Sequence, residues 1–484
     1  MSVWAAWYLL HLPTLRTPPS IAAPLLLLVM AGVIAWLTGD RRGDGWRIGL
    51  LAGIVSAAVN LLLLGSKIAA PADAASGSGG ASSVVPSAGL VTIGFLVSSA
   101  AIGAAAGWFG PRSPWAASRG STHWLTLMCR TLLAALFPLI AIGGAVTSAG
   151  AGMAVPDWPG TYGSNMFLYP IGLMADPYIF LEHTHRLFGT LVGLTAVVTM
   201  LMVLASRGGW SSLLIALPIA LTGVGLTIGY NAGSLKIAQP ALIGMLTPIC
   251  LAAVGFALFG AATLRSGVIA SGVFALICLQ GMLGALRVTE ISPAFGAVHG
   301  VLAQLILACA TVLAVVVGRG PSAQRGLPGE TVASARSARV ACVIAASCLL
   351  IQLVLAALFR HTGSAHALWT HIGFSIFAAI AVGIAAFILR SSEPYSNAGR
   401  AMRTLGAWLI GAVTLQMVLG FAAWAVVGDD YGPDRVVMYD ELATAQGPNT
   451  ARTLIATAHQ ANGALLLGLT AAAWAWARSA ASRR

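Results

Sequence analysis

Apolar residues occur along this chain in long runs that short polar segments separate. Crossing the hydrocarbon core of a bilayer takes roughly 20 apolar helical residues, and runs of about this length predict about thirteen membrane-spanning helices. The expected spans are residues 21–37, 48–65, 88–108, 130–148, 184–205, 211–229, 241–263, 268–286, 296–317, 339–358, 367–389, 402–427 and 454–477. The pattern predicts an all-α polytopic membrane protein.

Composition agrees with this fold class, because 58% of the 484 residues are hydrophobic and only 8% are charged. These values exclude an ordinary soluble domain and a disordered chain. All six cysteines lie in or beside apolar runs, so neither a disulfide framework nor a structural zinc site is expected.

The net charge of +12 is spread over alternate loops rather than gathered in one patch. This distribution favours the positive-inside rule over nucleic-acid binding. The acids concentrate in an intervening segment, GDDYGPDRVVMYDE, at residues 428–441. With thirteen spans, the N-terminus is expected outside and the C-terminus in the cytoplasm.

A glutamine helix followed by a histidine helix recurs three times. The pairs are Gln280 with His299, Gln352 with His371, and Gln416 with His459. The separations 299−280 and 371−352 are both 19 residues, whereas 459−416 is 43 because the acidic segment intervenes. Such a period indicates a copied unit.

An earlier copy, LIAIGGAVTSAG followed by EHTHRLFG, lacks the glutamine but keeps small residues for close helix packing. Four units predict two pseudo-symmetric four-helix bundle halves, related by an axis along the membrane normal. The first half is expected at residues 130–318, with a helix pair inserted near 211–263, and the second at 339–477. Residues 1–109 add about three helices, so about five spans are extra to the two halves.

Each unit places one histidine near the expected outer end of a span, with a small residue one turn later. These pairs are His185 with Gly189, His299 with Ala303, His371 with Ser375, and His459 with Gly463. An unpartnered imidazole is costly in lipid, and the small residue leaves a flat surface beside it. Two histidines from one half could ligate one haem iron, as in other helical bundles. For any single histidine, a hydrogen-bonded interfacial role is the alternative.

Glu182 lies three residues before His185 and therefore on the same helix face, with Arg186 four residues after Glu182. A carboxylate there could take a proton from water or stabilise a cation, although complementing a helix dipole is the alternative. His183 is rotated about 200° from His185 and cannot share its pocket. The outer segment VPDWPGTYG, residues 155–163, could cap the site.

Arg287 and Arg360 end two of the glutamine helices and break the positive-inside pattern, so an anion such as a haem propionate could hold them. Snorkelling to the interface is the alternative. His361 and His366 lie in a short outer connection where a solvated role is expected. His366 competes with His371 as a ligand, but only His371 shares the 19-residue spacing.

Four motifs occur in order along residues 130–477: TSAGAGMAVPDWPGTYG, the ExxHR core of EHTHRLFG, LQGMLGALRV and AVHG. Together they resemble the haem A synthase family of cytochrome oxidase assembly. The resemblance implies a multi-pass enzyme of a bacterial inner membrane. Such an enzyme oxidises the C8 methyl group of haem O to a formyl group with oxygen from water. Haem O synthase and oxidase assembly factors would be its partners.

The resemblance also implies roles for the residues above. His185 and His299 would hold the substrate haem, His371 and His459 would ligate a haem b cofactor, Glu182 would be catalytic, and Arg186, Arg287 and Arg360 would be candidates for propionate contacts. The chain departs from some members in having no outer-loop cysteine pair, and in its inserted and N-terminal spans. The rival functions are a two-haem electron-transfer cytochrome and a haem carrier, and the carrier has no need of Glu182.

Overall fold

The computed structural model describes residues 1–15, 17–40, 43–71, 82–112, 124–318, 329–427 and 436–481. Its helices are α1 (Ser2–Leu10), α2 (Pro19–Leu37), α3 (Gly45–Ile68), α4 (Ala88–Phe109), α5 (Trp124–Ala149), α6 (Pro177–Arg207), α7 (Leu213–Asn231), α8 (Gln239–Thr263), α9 (Ser266–Thr289), α10 (Pro293–Gly318), α11 (Gly329–Thr362), α12 (Ala365–Arg390), α13 (Asn397–Val427) and α14 (Thr450–Ala481). Strand β1 (Ala69–Pro71) pairs antiparallel with β2 (Ser82–Val84), and β3 (Gly160–Thr161) with β4 (Ser164–Asn165).

Within the described residues, twelve helices, α2 to α13, are long and apolar enough to cross a membrane. The chain is therefore an all-α polytopic membrane protein, as its apolar pattern predicts. The thirteenth expected span, residues 454–477, is helical as part of α14 but is not among these twelve. The expected orientation of the termini depends on that count and stays a prediction.

The chain forms two compact units. The first comprises residues 1–122, 151–191 and 437–447, and the second comprises residues 123–150, 192–436 and 448–484. Helix α6 contributes its residues up to Leu191 to the first unit. The predicted division at residues 109, 130, 318 and 339 follows the repeats rather than compactness, and it stays a prediction.

In the first unit, α3 and α4 pack through a ridge of glycines on each helix. A Cβ added to Gly49 would lie 2.2 Å from the backbone oxygen of Gly103, and one added to Gly107 would lie 2.2 Å from that of Gly45. Only residues without a side chain allow backbones this close. The short helix α1 packs through Trp4, whose indole Nε1 donates to Asn60 Oδ1 at 3.0 Å.

In the second unit, α11, α12, α13 and α14 pack around a shared core. The contacts of α11 with α12 and α14, and of α13 with the same two helices, make a four-helix bundle. Alanines dominate its buried positions, with Cys342, Val382, Met402 and Leu466 between them. Helix α5 packs on α10 and α14, and α7 and α8, the pair predicted to be inserted, pack on α9. These four helices lie in the region predicted as the C-terminal half, but the division into two pseudo-symmetric halves stays a prediction.

Candidate functional site

The 19-residue spacing joins adjacent helices through one repeated hydrogen bond. The side-chain amide of Gln280 donates from Nε2 to the backbone oxygen of His299 at 3.0 Å. Gln352 makes the same bond to the backbone oxygen of His371, also at 3.0 Å. The glutamine therefore fixes how far the histidine helix is shifted along its axis relative to the glutamine helix.

The third pair places the glutamine on the imidazole itself. Gln416 Nε2 lies 3.2 Å from Nδ1 and 3.4 Å from Nε2 of His459. The amide is oriented from its other side, because Asn462 Nδ2 donates to Gln416 Oε1 at 2.7 Å and to the backbone oxygen of Ala412 at 2.9 Å. The His459 ring is thereby held by a chain of polar contacts between α13 and α14.

The histidine rings also rest on a small residue four positions after each glutamine. A Cβ added to Gly284 would lie 3.1 Å from Cε1 of His299, and one added to Gly420 would lie 3.2 Å from Cε1 of His459. The sequence-based prediction considered only small residues that follow each histidine, and it therefore missed Gly284 and Gly420. The signal was present, since LQGMLG and LQMVLG both end in this glycine and IQLVLA ends in Ala356.

His371 has the hydrogen bond expected of a metal ligand. Its Nδ1 lies 3.2 Å from the backbone oxygen of Gln352, and because a carbonyl only accepts, Nδ1 carries the proton. The lone pair of Nε2 is then the one that can bind a metal.

His371 and His459 face each other within the second unit. Their ring centres lie 6.3 Å apart, with the ring planes at 86°. Metal–nitrogen bonds of about 2.0–2.1 Å place two opposed imidazole centres roughly 6 Å apart. The pair therefore fits the spacing that two histidines on one iron require, and it is the arrangement in which these residues could hold haem b.

His185 and His299 belong to different units, so their expected pairing stays a prediction. Each is half-buried on its own helix, His185 on α6 and His299 on α10. His366 is exposed at the start of α12. The solvated role expected for His361 is wrong, because the residue belongs to α11, is half-buried, and lies so close to Gly296 that an added Cβ would be 2.8 Å from its ring.

Glu182 is 4% exposed, and both of its carboxylate oxygens accept hydrogen bonds. Oε2 accepts from the backbone N–H of Val155 at 2.9 Å, and Oε1 accepts from Nη2 of Arg186 at 2.7 Å. The first turn of α6 is instead met by Asp176, whose Oδ1 accepts from the backbone N–H groups of Tyr178 and Ile179. Helix-dipole complementation therefore belongs to Asp176 rather than to Glu182.

Arg186 holds the segment that precedes α6, which is predicted to lie outside the membrane. Its Nη1 donates to the backbone oxygens of Asp157 at 2.5 Å and Gly160 at 3.1 Å, while Nη2 donates to that of Val155 at 3.0 Å. The ExxHR motif is thus a clamp that holds the predicted capping segment. A propionate contact of Arg186 stays a prediction, and it would compete with these bonds.

The clamped segment is buried at Val155 and Thr161. His183 has no exposed surface and its Nδ1 lies 3.1 Å from Thr161 Oγ1, so this histidine faces the segment. Burial, with Asp157 and Asp176 nearby, raises the pKa of Tyr169 to about 12. The phenol is therefore neutral at physiological pH.

Arg360 contacts α5 and α14 within the second unit. Its Nη1 donates to Gln460 Oε1 at 2.5 Å, and its Nη2 donates to the backbone oxygen of Gly144 at 3.0 Å and to the Ser148 hydroxyl. These contacts place a positive charge beside α14 one residue after His459. Arg287 is half-buried near the end of α9, and the propionate roles of both arginines stay predictions.

Across the described ranges, no group of three or more His, Cys, Asp or Glu side chains could hold a metal ion. No family model, curated protein or solved structure matches the chain.

Proposed function

We propose that this chain is a haem-binding membrane oxidoreductase of the haem A synthase type, converting haem O to haem A. The observation that carries the proposal is the His371–His459 pair, with ring centres 6.3 Å apart, in which a glutamine on the preceding helix contacts each histidine. A haem b bound there would supply reversible electron transfer.

Three features around the pair support the proposed haem site. The bond from His371 Nδ1 to Gln352 leaves Nε2 as the ligand atom. Gly420 gives the His459 ring room against α13. The guanidinium of Arg360, held by Gln460, Gly144 and Ser148, adds positive charge beside the same helix, where it would favour an anionic substituent.

Converting a methyl to a formyl group consumes one water and releases four protons and four electrons. A carboxylate that accepts a proton from water serves such a step, and Glu182 shares a helix face with His185. Both Glu182 oxygens accept hydrogen bonds from the protein. Each oxygen accepts one of these bonds and has a second lone pair that can take up a proton.

The same observation favours a second candidate, a haem-binding protein that carries haem or transfers electrons without oxidising a methyl group. In that case Glu182 serves only to hold Val155 and Arg186. Its burial and bonding are then fully explained by the clamp.

The two functions separate when the chain is co-expressed with a haem O synthase in a host that makes no haem A. Extracted haems are resolved by chromatography and mass, with an empty vector as the control. A product heavier than haem O by the change from CH3 to CHO supports the synthase. Protein that carries haem b while haem O accumulates unconverted supports the carrier or cytochrome.

A further inference from the structure

A cavity of about 280 Å³ lies in the first unit, between the segment after α1 and the start of α6. Its lining is mostly apolar, with Leu10, Leu12, Met174 and Phe180 among the walls and His11 and Thr17 as the polar side chains. The sequence motifs and the proposed haem ligands leave this cavity unused.

His11 is held rigidly at this cavity. Its ring stacks on Trp7, with centres 4.7 Å apart and planes at 25°, and its Nδ1 lies 2.8 Å from the backbone oxygen of Trp7. Because the carbonyl accepts, Nδ1 carries the proton. Burial lowers the pKa of His11 despite the opposing effect of the hydrogen bond to Trp7, and Lys67 lowers it further, so the ring is neutral at physiological pH and its Nε2 is a hydrogen-bond acceptor.

Size and polarity restrict what fits. Pockets for drug-sized ligands span about 300–1,000 Å³, so this slightly smaller cavity suits a single substituted ring and excludes a tetrapyrrole. The apolar walls suit an aromatic or quinonoid ring, and His11 Nε2 and the Thr17 hydroxyl can form hydrogen bonds with hydroxyl groups on that ring. Two helices long and apolar enough to cross a membrane begin beside the cavity, α2 at Pro19 and α6 at Pro177, so a ligand dissolved in the bilayer can reach it.

We propose that this cavity binds the headgroup of a lipid-soluble quinol and is where the electrons of the reaction leave the protein. The second part rests on the proposed function. One methyl, one water and two quinones then give one formyl and two quinols, which balances the four electrons and four protons. The quinone ring is reduced, and the methyl carbon is oxidised.

The geometry favours the reduced ring. A quinol hydroxyl can donate to His11 Nε2, whereas a quinone carbonyl cannot, so the site binds quinol more tightly. Tighter binding of the reduced form makes bound quinone the stronger oxidant. Phe180 of the cavity wall precedes Glu182 by two residues and His185 by five, which is about 3 Å and about 7.5 Å along α6.

The binding test uses the purified full chain in lipid nanodiscs, titrated calorimetrically with decylubiquinol and with decylubiquinone. His11→Phe keeps an aromatic ring for stacking on Trp7 but removes the acceptor. We expect this variant to weaken decylubiquinol binding by about 10-fold, as one lost hydrogen bond implies, and to abolish the preference over decylubiquinone. Thr14→Ala, at an exposed neighbouring position, is the matched control and should bind as the parent does.

Equal decylubiquinol affinity in His11→Phe and the parent would overturn the assignment. A second measurement covers the case in which the variant unfolds. An azidoquinone is photolysed on the unaltered protein and the labelled peptides are identified. Labelling of peptides that contain His11 or Phe180 supports the cavity, and labelling confined to other segments overturns it.

A turnover test addresses the exit of electrons. The parent is given haem O with decylubiquinone under anaerobic conditions, and two quinols should appear per haem A. Full turnover by His11→Phe with the same acceptor overturns the electron exit. If neither decylubiquinone nor ferricyanide supports haem A formation, the proposed function fails, and the titration and labelling alone decide whether the cavity binds quinol.

Discussion

Glu182→Gln removes one negative charge from a buried pair while keeping the length of the side chain. The carboxylate accepts from Val155 N–H at 2.9 Å and from Arg186 Nη2 at 2.7 Å. A glutamine can accept only one of these bonds, because its amide nitrogen donates. The glutamine amide nitrogen, a donor, then faces a second donor, either the Val155 N–H or Arg186 Nη2.

The cost to stability follows from the burial of this pair. Removing one partner of a buried ion pair costs about 3–5 kcal/mol. Arg186 keeps its three bonds to the backbone oxygens of Val155, Asp157 and Gly160, and the glutamine keeps one bond. We therefore expect the lower end of the range, about 3 kcal/mol.

The effect on turnover separates chemistry from clamping. A catalytic acid–base group contributes about 10²–10⁴-fold, so Glu182→Gln should lower haem A formation by at least about 100-fold. Arg186→Gln is the matched control, because it breaks the same ion pair and also removes bonds to the capping segment, yet it leaves the carboxylate. Hydrogen exchange at the Val155 amide reports the loosening of the segment in both variants.

A catalytic Glu182 predicts far lower haem A formation in Glu182→Gln than in Arg186→Gln at comparable haem content. Equal losses in the two variants, with equal exposure of the Val155 amide, would refute the catalytic role. Glu182 would then be a positioning residue, and the haem carrier or cytochrome would become the better reading of the site.

Two further predictions concern close packing. Gly420→Leu should displace the His459 ring, because even an added Cβ would lie 3.2 Å from Cε1 of that ring. The purified leucine variant should therefore show reduced haem absorbance, whereas Gly420→Ala should retain most of it. Full haem absorbance in the leucine variant would contradict the contact. Gly103→Val should destabilise the protein by more than the about 1–3 kcal/mol of ordinary overpacking, since its Cβ would lie 2.3 Å from the backbone oxygen of Gly49. Gly94→Val on the same helix has open space and should unfold at the parent temperature, so matching thermal unfolding of both variants would argue against the glycine ridge.

The apolar pattern predicted the helices well because each span must satisfy its backbone hydrogen bonds internally in lipid. It placed the ends less well. Helix α11 runs from Gly329 to Thr362, although the apolar run predicts 339–358, since polar residues continue a helix beyond the bilayer core. That extension is why His361 lies on a helix face rather than in a solvated connection.

The glutamine–histidine units were predictable from spacing, but the clamp at Glu182 was not. Its partners are backbone groups of Val155, Asp157 and Gly160, and any residue type carries such groups. Hydropathy also does not predict the direction in which a buried carboxylate points. The cavity at His11 was missed for a similar reason, because α1 is too short to stand out as a span and its packing depends on a distant helix.

The hydrogen bond between Gln352 and His371 closes within one helical hairpin, and so does the one between Gln280 and His299. Each histidine can therefore be set in place as soon as its hairpin leaves the ribosome, before the rest of the protein exists. Lengthening the connection is thermodynamically mild, because going from 19 to 43 residues raises the cost of loop closure by only about 0.7 kcal/mol. An acidic segment could thus enter the last hairpin during evolution without displacing His459.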